Sequence, residues 1–139
     1  MNSKCFILIA GLPNLGKHNF AERYYKTLKN TKYSIIDEND YNNESLIKKL
    51  RDNLLEDNEL VILISECLKF TDRKLIIDSI KDINCRKSLM FFYKEKSEFI
   101  KINDKLENPL SKDEISDLYD IVEVPNSKYE EGFDLLFIQ

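Results

Sequence analysis

Short apolar runs alternate along the chain with longer segments whose apolar residues recur at helical spacing. The runs lie at residues 4–10, 33–36, 60–64, 88–93 and 135–138, and each has the length of a β-strand. The clearest helical stripe between them consists of Leu46, Ile47, Leu50, Leu54 and Leu55. Strands that alternate with helices predict a largely parallel five-stranded sheet covered on both faces, which is an α/β three-layer sandwich.

Two later helices carry start signals of their own. Thr71 is placed to cap a third helix, in which we expect Leu75 and Ile76 on the buried side. Ser111 and Glu114 have the spacing of a capping box before the last helix.

The most informative segment follows the first predicted strand. It is the run Gly11-Leu12-Pro13-Asn14-Leu15-Gly16-Lys17-His18, ahead of a helix predicted over residues 17–29. This run matches the phosphate-binding P-loop pattern G-x-x-x-x-G-K-[ST] except at its last position. Strand, loop and helix therefore occur in the order that such a site requires.

The loop predicts a binding site for ATP or another nucleotide. Its backbone N–H groups and the helix N-terminus would hold phosphate oxygens, and Lys17 would reach the outer phosphates. His18 stands where a hydroxyl normally binds magnesium, and imidazole is a poor ligand for that hard ion. Magnesium is therefore doubtful, and no metal site is predicted.

Other chemistry-bearing residues follow neighbouring strands. Ligands of parallel sheets bind beyond the carboxyl ends of the strands, and Asp37, Glu66 and Lys94 all come near such ends. We expect them beside the P-loop. Arg73, on the third helix, is expected at the protein surface rather than on a phosphate.

Length and charge restrict the function classes. The 139 residues correspond to a single domain, 1–139, and the net charge of −4 excludes a general basic field for nucleic acid. Basic residues are concentrated only at Arg86, Lys87, Lys94, Lys96, Lys101 and Lys105. A solvated helix face is the favoured interpretation of this lysine patch, and a nucleic-acid contact is the alternative.

Cysteine usage and hydropathy bear on location. Cys5, Cys67 and Cys85 have no zinc-type spacing and are predicted to be reduced thiols. The first apolar run is too short for a signal peptide, and nothing approaches a membrane span of about 20 apolar residues. We therefore expect an intracellular, cytoplasmic protein with no membrane contact.

Along its whole length the chain resembles the P-loop kinases of the polynucleotide kinase group, which phosphorylate 5′-hydroxyl ends. The similar stretches are residues 9–13 with 16–17, residues 35–41, residues 61–75 and residues 131–134. The resemblance implies the strand order 2-3-1-4-5. It also implies catalytic roles for an aspartate, Asp37 or Asp40, as general base and for Glu66 on the magnesium side.

The chain departs from this family where the chemistry should be. His18 replaces the magnesium-binding hydroxyl, and Glu66 stands where the family has an aspartate. The lid helix of the family carries two arginines, and Ile102 and Leu106 occupy those positions here. A transition-state arginine contributes about 10³–10⁵ in rate, so these losses indicate a degenerate enzyme.

Three functions remain open at this stage. The preferred one is a pseudoenzyme that binds a nucleotide and acts through a protein or ribonucleoprotein partner. The first alternative is an active ATP-dependent kinase that phosphorylates a nucleic-acid 5′-hydroxyl end or a small hydroxyl substrate. The second is a nucleotide-free scaffold or interaction protein.

Overall fold

Five strands form one sheet in a computed structural model, which describes residues 4–28, 30–127 and 131–139. They are β1 (Cys5–Gly11), β2 (Tyr33–Asp37), β3 (Leu60–Ile64), β4 (Arg86–Phe92) and β5 (Leu135–Ile138). All neighbours pair in parallel, in the order β2-β3-β1-β4-β5. The predicted α/β fold class and strand order are therefore confirmed.

Within the described ranges, five assigned α-helices connect the strands. They are α1 (Lys17–Lys26), α2 (Asn43–Leu55), α3 (Phe70–Ser79), α4 (Lys96–Asn103) and α5 (Lys112–Ile121), with a 3₁₀ turn at Glu38–Asp40. Residue 29, where the first helix was predicted to end, lies outside the described residues. The predicted capping box is present, because Ser111 and Glu114 exchange side-chain and backbone hydrogen bonds of 3.1 Å.

The alternating side chains of β1 divide the core between the two faces of the sheet. Phe6 and Leu8 pack in the cluster that contains the buried residues of α2 and α3. Ile9 packs on the opposite face, with Ala21 of α1. A third cluster, around Leu12 and the helices α4 and α5, covers the carboxyl end of the sheet. The parallel strands thus direct their carboxyl ends toward the P-loop.

Two predictions about helix α3 are wrong, namely its N-cap and one of its buried residues. It begins at Phe70 after Lys69, which makes no side-chain cap, so Thr71 lies inside the first turn and is not the N-cap. Leu75 was expected in the core but is 68% exposed, whereas Ile76 and Ile77 are buried. The buried stripe is Arg73, Ile76, Ile77 and Ile80. The helix is therefore rotated toward the arginine and away from Leu75.

Arg73 is a buried structural residue, and its predicted surface position is wrong. Its side chain is 1% exposed, and Nε donates to Glu131 at 2.5 Å. The other guanidinium nitrogens donate to the carbonyl oxygens of Cys67 (2.9 Å) and Glu123 (2.8 Å). The group also lies 5.0 Å from the centre of the Phe91 ring. One side chain thus fastens three connecting segments to the sheet.

We predict that Arg73→Met lowers the free energy of unfolding by about 3–5 kcal/mol, because it leaves the Glu131 carboxylate buried without its partner. Urea unfolding followed by circular dichroism measures this loss. Arg51→Met is the matched control, since Arg51 pairs with the exposed Asp82 and should cost far less. Equal losses for the two variants would contradict the structural role of Arg73.

Candidate phosphate-binding site

A hollow of about 480 Å³ lies beyond the carboxyl ends of β1, β2 and β3. Among the residues predicted for the site, Pro13, Asn14, Gly16, Lys17, His18, Asp37 and Glu66 line it. Glu38 and Ser65 also line it, although the sequence singled out neither for this place, and Leu106 lines it as well. Asp40 does not line the hollow, and its side chain is exposed on the 3₁₀ turn.

The backbone enters the loop through a point that only glycine permits. Gly11 has φ +117°, and a Cβ there would lie 2.2 Å from the carbonyl oxygen of Phe92. Its N–H donates to Glu66 O at 2.8 Å, and the Leu12 N–H donates to Phe92 O at 2.9 Å. Leu12 is fully buried beneath the loop. Gly11 and Leu12 therefore anchor the loop instead of facing a ligand.

The far end of the loop opens onto the hollow. Gly16 has φ +93°, and no atom lies within 4 Å of the place its Cβ would take. The first hydrogen bond of α1 runs from the Phe20 N–H to Gly16 O, at 2.9 Å. The N–H groups of residues 16–19, at the start of α1, precede that bond and have no partner within the helix, which makes them candidates for binding an anion. This arrangement fits a phosphate group.

Lys17 is folded into the loop. Its side chain is 8% exposed, and Nζ donates to Gly11 O at 2.7 Å and to Ser65 O at 3.3 Å. Burial lowers the pKa of this ammonium group, while the charges of Glu66 and Glu38 act in the opposite direction. The cation is therefore held at the floor of the hollow by two carbonyl oxygens that a phosphate would replace.

His18 and Asp37 contact each other across the hollow. His18 Nε2 lies 2.6 Å from Asp37 Oδ2, and the other carboxylate oxygen accepts the Asn39 N–H at 3.0 Å. An ionised carboxylate only accepts, so Nε2 carries the proton. Burial alone raises the pKa of Asp37, but these hydrogen bonds outweigh it, and the pKa falls below the ordinary 3.8. Both carboxylate oxygens are therefore already engaged.

Glu38 joins the ends of β2 and β3, a role that the sequence did not indicate. One carboxylate oxygen accepts the Ser65 hydroxyl at 2.5 Å, and the other accepts the Glu66 N–H at 2.9 Å. The only sequence signal was its place in an acidic turn, where Asp37 and Asp40 drew attention instead. Glu38 thus orients the backbone from which the Glu66 side chain projects.

No family model and no curated protein matches this chain. Several solved structures do resemble it in fold. Kti12 of Chaetomium thermophilum in complex with ADP-AlF3 aligns with a TM-score of 0.73 at 16% identity, over 96% of this chain and 88% of that one. A gluconokinase from Sinorhizobium meliloti 1021 gives 0.70 at 11% identity (99% and 83%), and APE1195 gives 0.66 at 14% (99% and 86%).

The chain has a P-loop kinase-like fold. At these identities the likeness establishes the fold, and the chemistry has to come from the residues. No helix in the described residues is long and apolar enough to cross a membrane. Among the same residues, no three or more His, Cys, Asp or Glu side chains are grouped to hold a metal ion.

Among the described residues, no arginine lines the hollow. The chain contains four arginines, at positions 23, 51, 73 and 86, and the lining includes none of them. Leu106, one of the two residues at the family's lid-arginine positions, does line the hollow. An apolar side chain therefore lies where the resemblance places a guanidinium group.

The basic residues noted in the sequence do not form one patch. Arg86 and Lys87 begin β4, whereas Lys94 follows its end, so about 20 Å of strand separates the two groups. The Lys87 ammonium is also directed to the carbonyl oxygens of Ile83 and Cys85, at 3.4 Å each. A polyanion surface would therefore rest on residues 94–105 alone.

We predict that the contact between His18 and Asp37 stabilises the protein in a pH-dependent way. Because the folded pKa of Asp37 is depressed, its stabilisation is complete above the ordinary value of 3.8 and is lost as the pH falls through the folded pKa. Asp37→Asn should therefore lower the melting temperature near about pH 6, and the difference from wild type should shrink as the pH is lowered below the ordinary value of 3.8.

Thermal melts of both proteins across this range measure the effect. Asp40→Asn, at an exposed position outside the hollow, serves as the control and should show no such convergence. A difference between wild type and Asp37→Asn that stays constant with pH would contradict the predicted contact.

Proposed function

We propose that this protein is a degenerate member of the polynucleotide kinase-like group, a pseudoenzyme that binds a nucleotide and acts through a protein or ribonucleoprotein partner. One observation carries the proposal. The loop that would hold phosphate is intact, whereas His18, at the position of the magnesium-binding hydroxyl, and Asp37, one of the two candidate general bases, contact each other at 2.6 Å.

Nucleotide binding is supported by the loop and by the fold. Gly16 leaves open space at the start of α1, where the N–H groups of residues 16–19 have no partner within the helix, and the Lys17 ammonium already lies on oxygen acceptors within the loop. A phosphate oxygen is a stronger partner for the ammonium than two carbonyl groups are, because it carries charge. The structurally similar Kti12 was solved with ADP-AlF3, which is consistent with nucleotide binding in this fold.

The proposed loss of phosphoryl transfer is supported by the scarcity of cationic side chains around the hollow. Phosphoryl transfer depends on positioning and on cations that neutralise the charge of the transition state. Among the described residues that line the hollow, Lys17 and His18 are the basic side chains. Leu106 occupies a position where the family has a lid arginine. A missing arginine alone removes about 10³–10⁵ of the rate, so efficient transfer is not expected.

Magnesium fits the donor set poorly. The ion prefers oxygen ligands in octahedral geometry, and an imidazole at position 18 replaces the expected hydroxyl. The oxygens of Asp37 and Glu38 already accept four hydrogen bonds between them. Glu66 is the carboxylate left to bind an ion through water. We therefore assign no step to magnesium.

The competing function is an active ATP-dependent kinase. It is favoured by the presence of Lys17, Asp37 and Glu66 around a single hollow. In that case Asp37 would have to release His18 in order to take the proton of a substrate hydroxyl. Strong magnesium dependence of ATP binding to the wild-type chain would favour this function over the proposed one.

An intracellular, cytoplasmic location is part of the proposal. Among the described residues, none of the three cysteines forms a disulfide, which is typical of proteins kept in reducing compartments. Nucleotides are available there as ligands. The partner would then be an intracellular macromolecule.

We predict that the protein binds ATP without needing magnesium, and that Lys17→Met weakens binding by about tenfold or more, since it removes the buried cation that faces the phosphates. Isothermal titration with ATP, with and without magnesium, measures this. Lys26→Met is the control, because Lys26 is an exposed lysine at the other end of the same helix.

A second arm of the titration uses His18→Thr, which restores the hydroxyl and releases Asp37. This variant should gain magnesium dependence that the wild type lacks. Absence of ATP binding at millimolar concentration would refute the proposed nucleotide site. Equal weakening by Lys17→Met and Lys26→Met would refute the role of the loop.

A further inference from the structure

A second and larger cavity adjoins the phosphate hollow. It has a volume of about 990 Å³ and lies in a groove between α2 and α3 that reaches the end of α5. Its apolar lining includes Leu46, Ile47, Leu68, Leu75, Ile76 and Ile121. We call it the α2–α3 groove. No residue that is proposed to contact phosphate in the nucleotide site lines this groove.

Large apolar side chains are left in solvent along this groove. Leu75 is 68% exposed and Ile121 is 42% exposed, although Ile76 beside them is buried. Covering such side chains contributes about 25 cal/mol for each Å² removed from water. Contiguous exposed apolar surface rimmed by polar residues is typical of a site for another macromolecule.

The rim of the groove is acidic. Its charged residues are the carboxylates of Glu38, Glu44, Glu66, Asp72 and Asp78 and the single cation of Lys69. Asp78 is paired with Lys74 at 3.3 Å and with Lys81 at 3.2 Å. Among the described residues, no ion pair involves Glu44, Glu66 or Asp72. The groove therefore complements a partner that carries Lys or Arg beside its apolar residues.

The shape of the groove favours a helix over an extended segment. Its walls are helices α2 and α3, and no residue of the edge strand β2 lines it. An extended peptide would find no strand edge to pair with and would leave its backbone polar groups unsatisfied. A helix satisfies these groups internally and presents an apolar face to such a groove.

We propose that the α2–α3 groove is the docking site for a basic amphipathic helix of a partner protein. This inference rests on the proposed function, because it names the surface and the chemistry of the partner through which the pseudoenzyme acts. Glu38 and Glu66 line both the groove and the phosphate hollow, so the docked helix lies next to the nucleotide site.

The test uses a labelled synthetic peptide of about 18 residues, with leucines at helical spacing on one face and lysines on the rest. Two control peptides keep the length: one has glutamate in place of lysine, and the other has the same composition with alternating leucines. Fluorescence anisotropy at physiological salt should show about tenfold tighter binding of the basic helical probe than of either control.

Two matched pairs of variants locate the binding. Leu75→Ser should weaken binding of the probe by about tenfold, whereas Leu55→Ser should change it less than about twofold. Leu55 is also on a helix and is 63% exposed, but it does not line the groove. Glu44→Gln with Asp72→Asn should weaken binding, and Glu107→Gln with Asp113→Asn should not, at equal net charge.

Several outcomes would overturn the inference. Equal effects of the Leu75 and Leu55 variants, or equal affinity for the acidic probe, would place binding elsewhere. Self-association of the protein that Leu75→Ser abolishes would assign the groove to a second copy of this chain. A protein that binds ATP but not the probe refutes the groove alone, while one that binds the probe but not ATP refutes the nucleotide site alone.

Discussion

The candidate site depends on the close approach of β1 to β4 at Gly11. A Cβ at this residue would lie 2.2 Å from the Phe92 carbonyl oxygen, so no other amino acid permits the loop to leave the sheet at this point. The hydrogen bonds from Gly11 to Glu66 and from Leu12 to Phe92 fix the exit between two neighbouring strands. The position of α1, and with it that of the N–H groups in its first turn, follows from that exit.

The charges around the loop separate binding from transfer. Burial lowers the pKa of Lys17, and two carbonyl oxygens hold its ammonium group where the proposed function places a phosphate. Two of the three carboxylates that line the hollow are engaged by protein groups, Asp37 by His18 and Glu38 by Ser65, and Glu66 is the third. In the proposed function this hollow holds phosphate, and it lacks the arginines that would stabilise the transition state of transfer. The acidic α2–α3 groove adjoins it and is the surface proposed for a partner.

The strands and the loop could be predicted from the sequence because both are local patterns. Apolar runs of strand length and the spacing of Gly11, Gly16 and Lys17 need no knowledge of distant residues. The strand order came from the family resemblance. The buried position of Arg73 could not be predicted, since its partner Glu131 is 58 residues away in the chain. Leu75 was misplaced for the same reason, because the arginine sets the rotation of α3. Whether the site residues act as predicted stays a prediction.

In the most direct measurement, the protein is incubated with magnesium, a 5′-hydroxyl oligonucleotide and ATP that is labelled at its γ-phosphate. Bound ATP and transferred phosphate are then determined in the same sample. If the loop binds phosphate but the groups for transfer are missing, ATP should bind in a way that depends on Lys17. Phosphate transfer should then not exceed the background measured with Lys17→Met. Robust transfer that disappears in Lys17→Met would contradict it, because the hollow would then contain a working catalytic set.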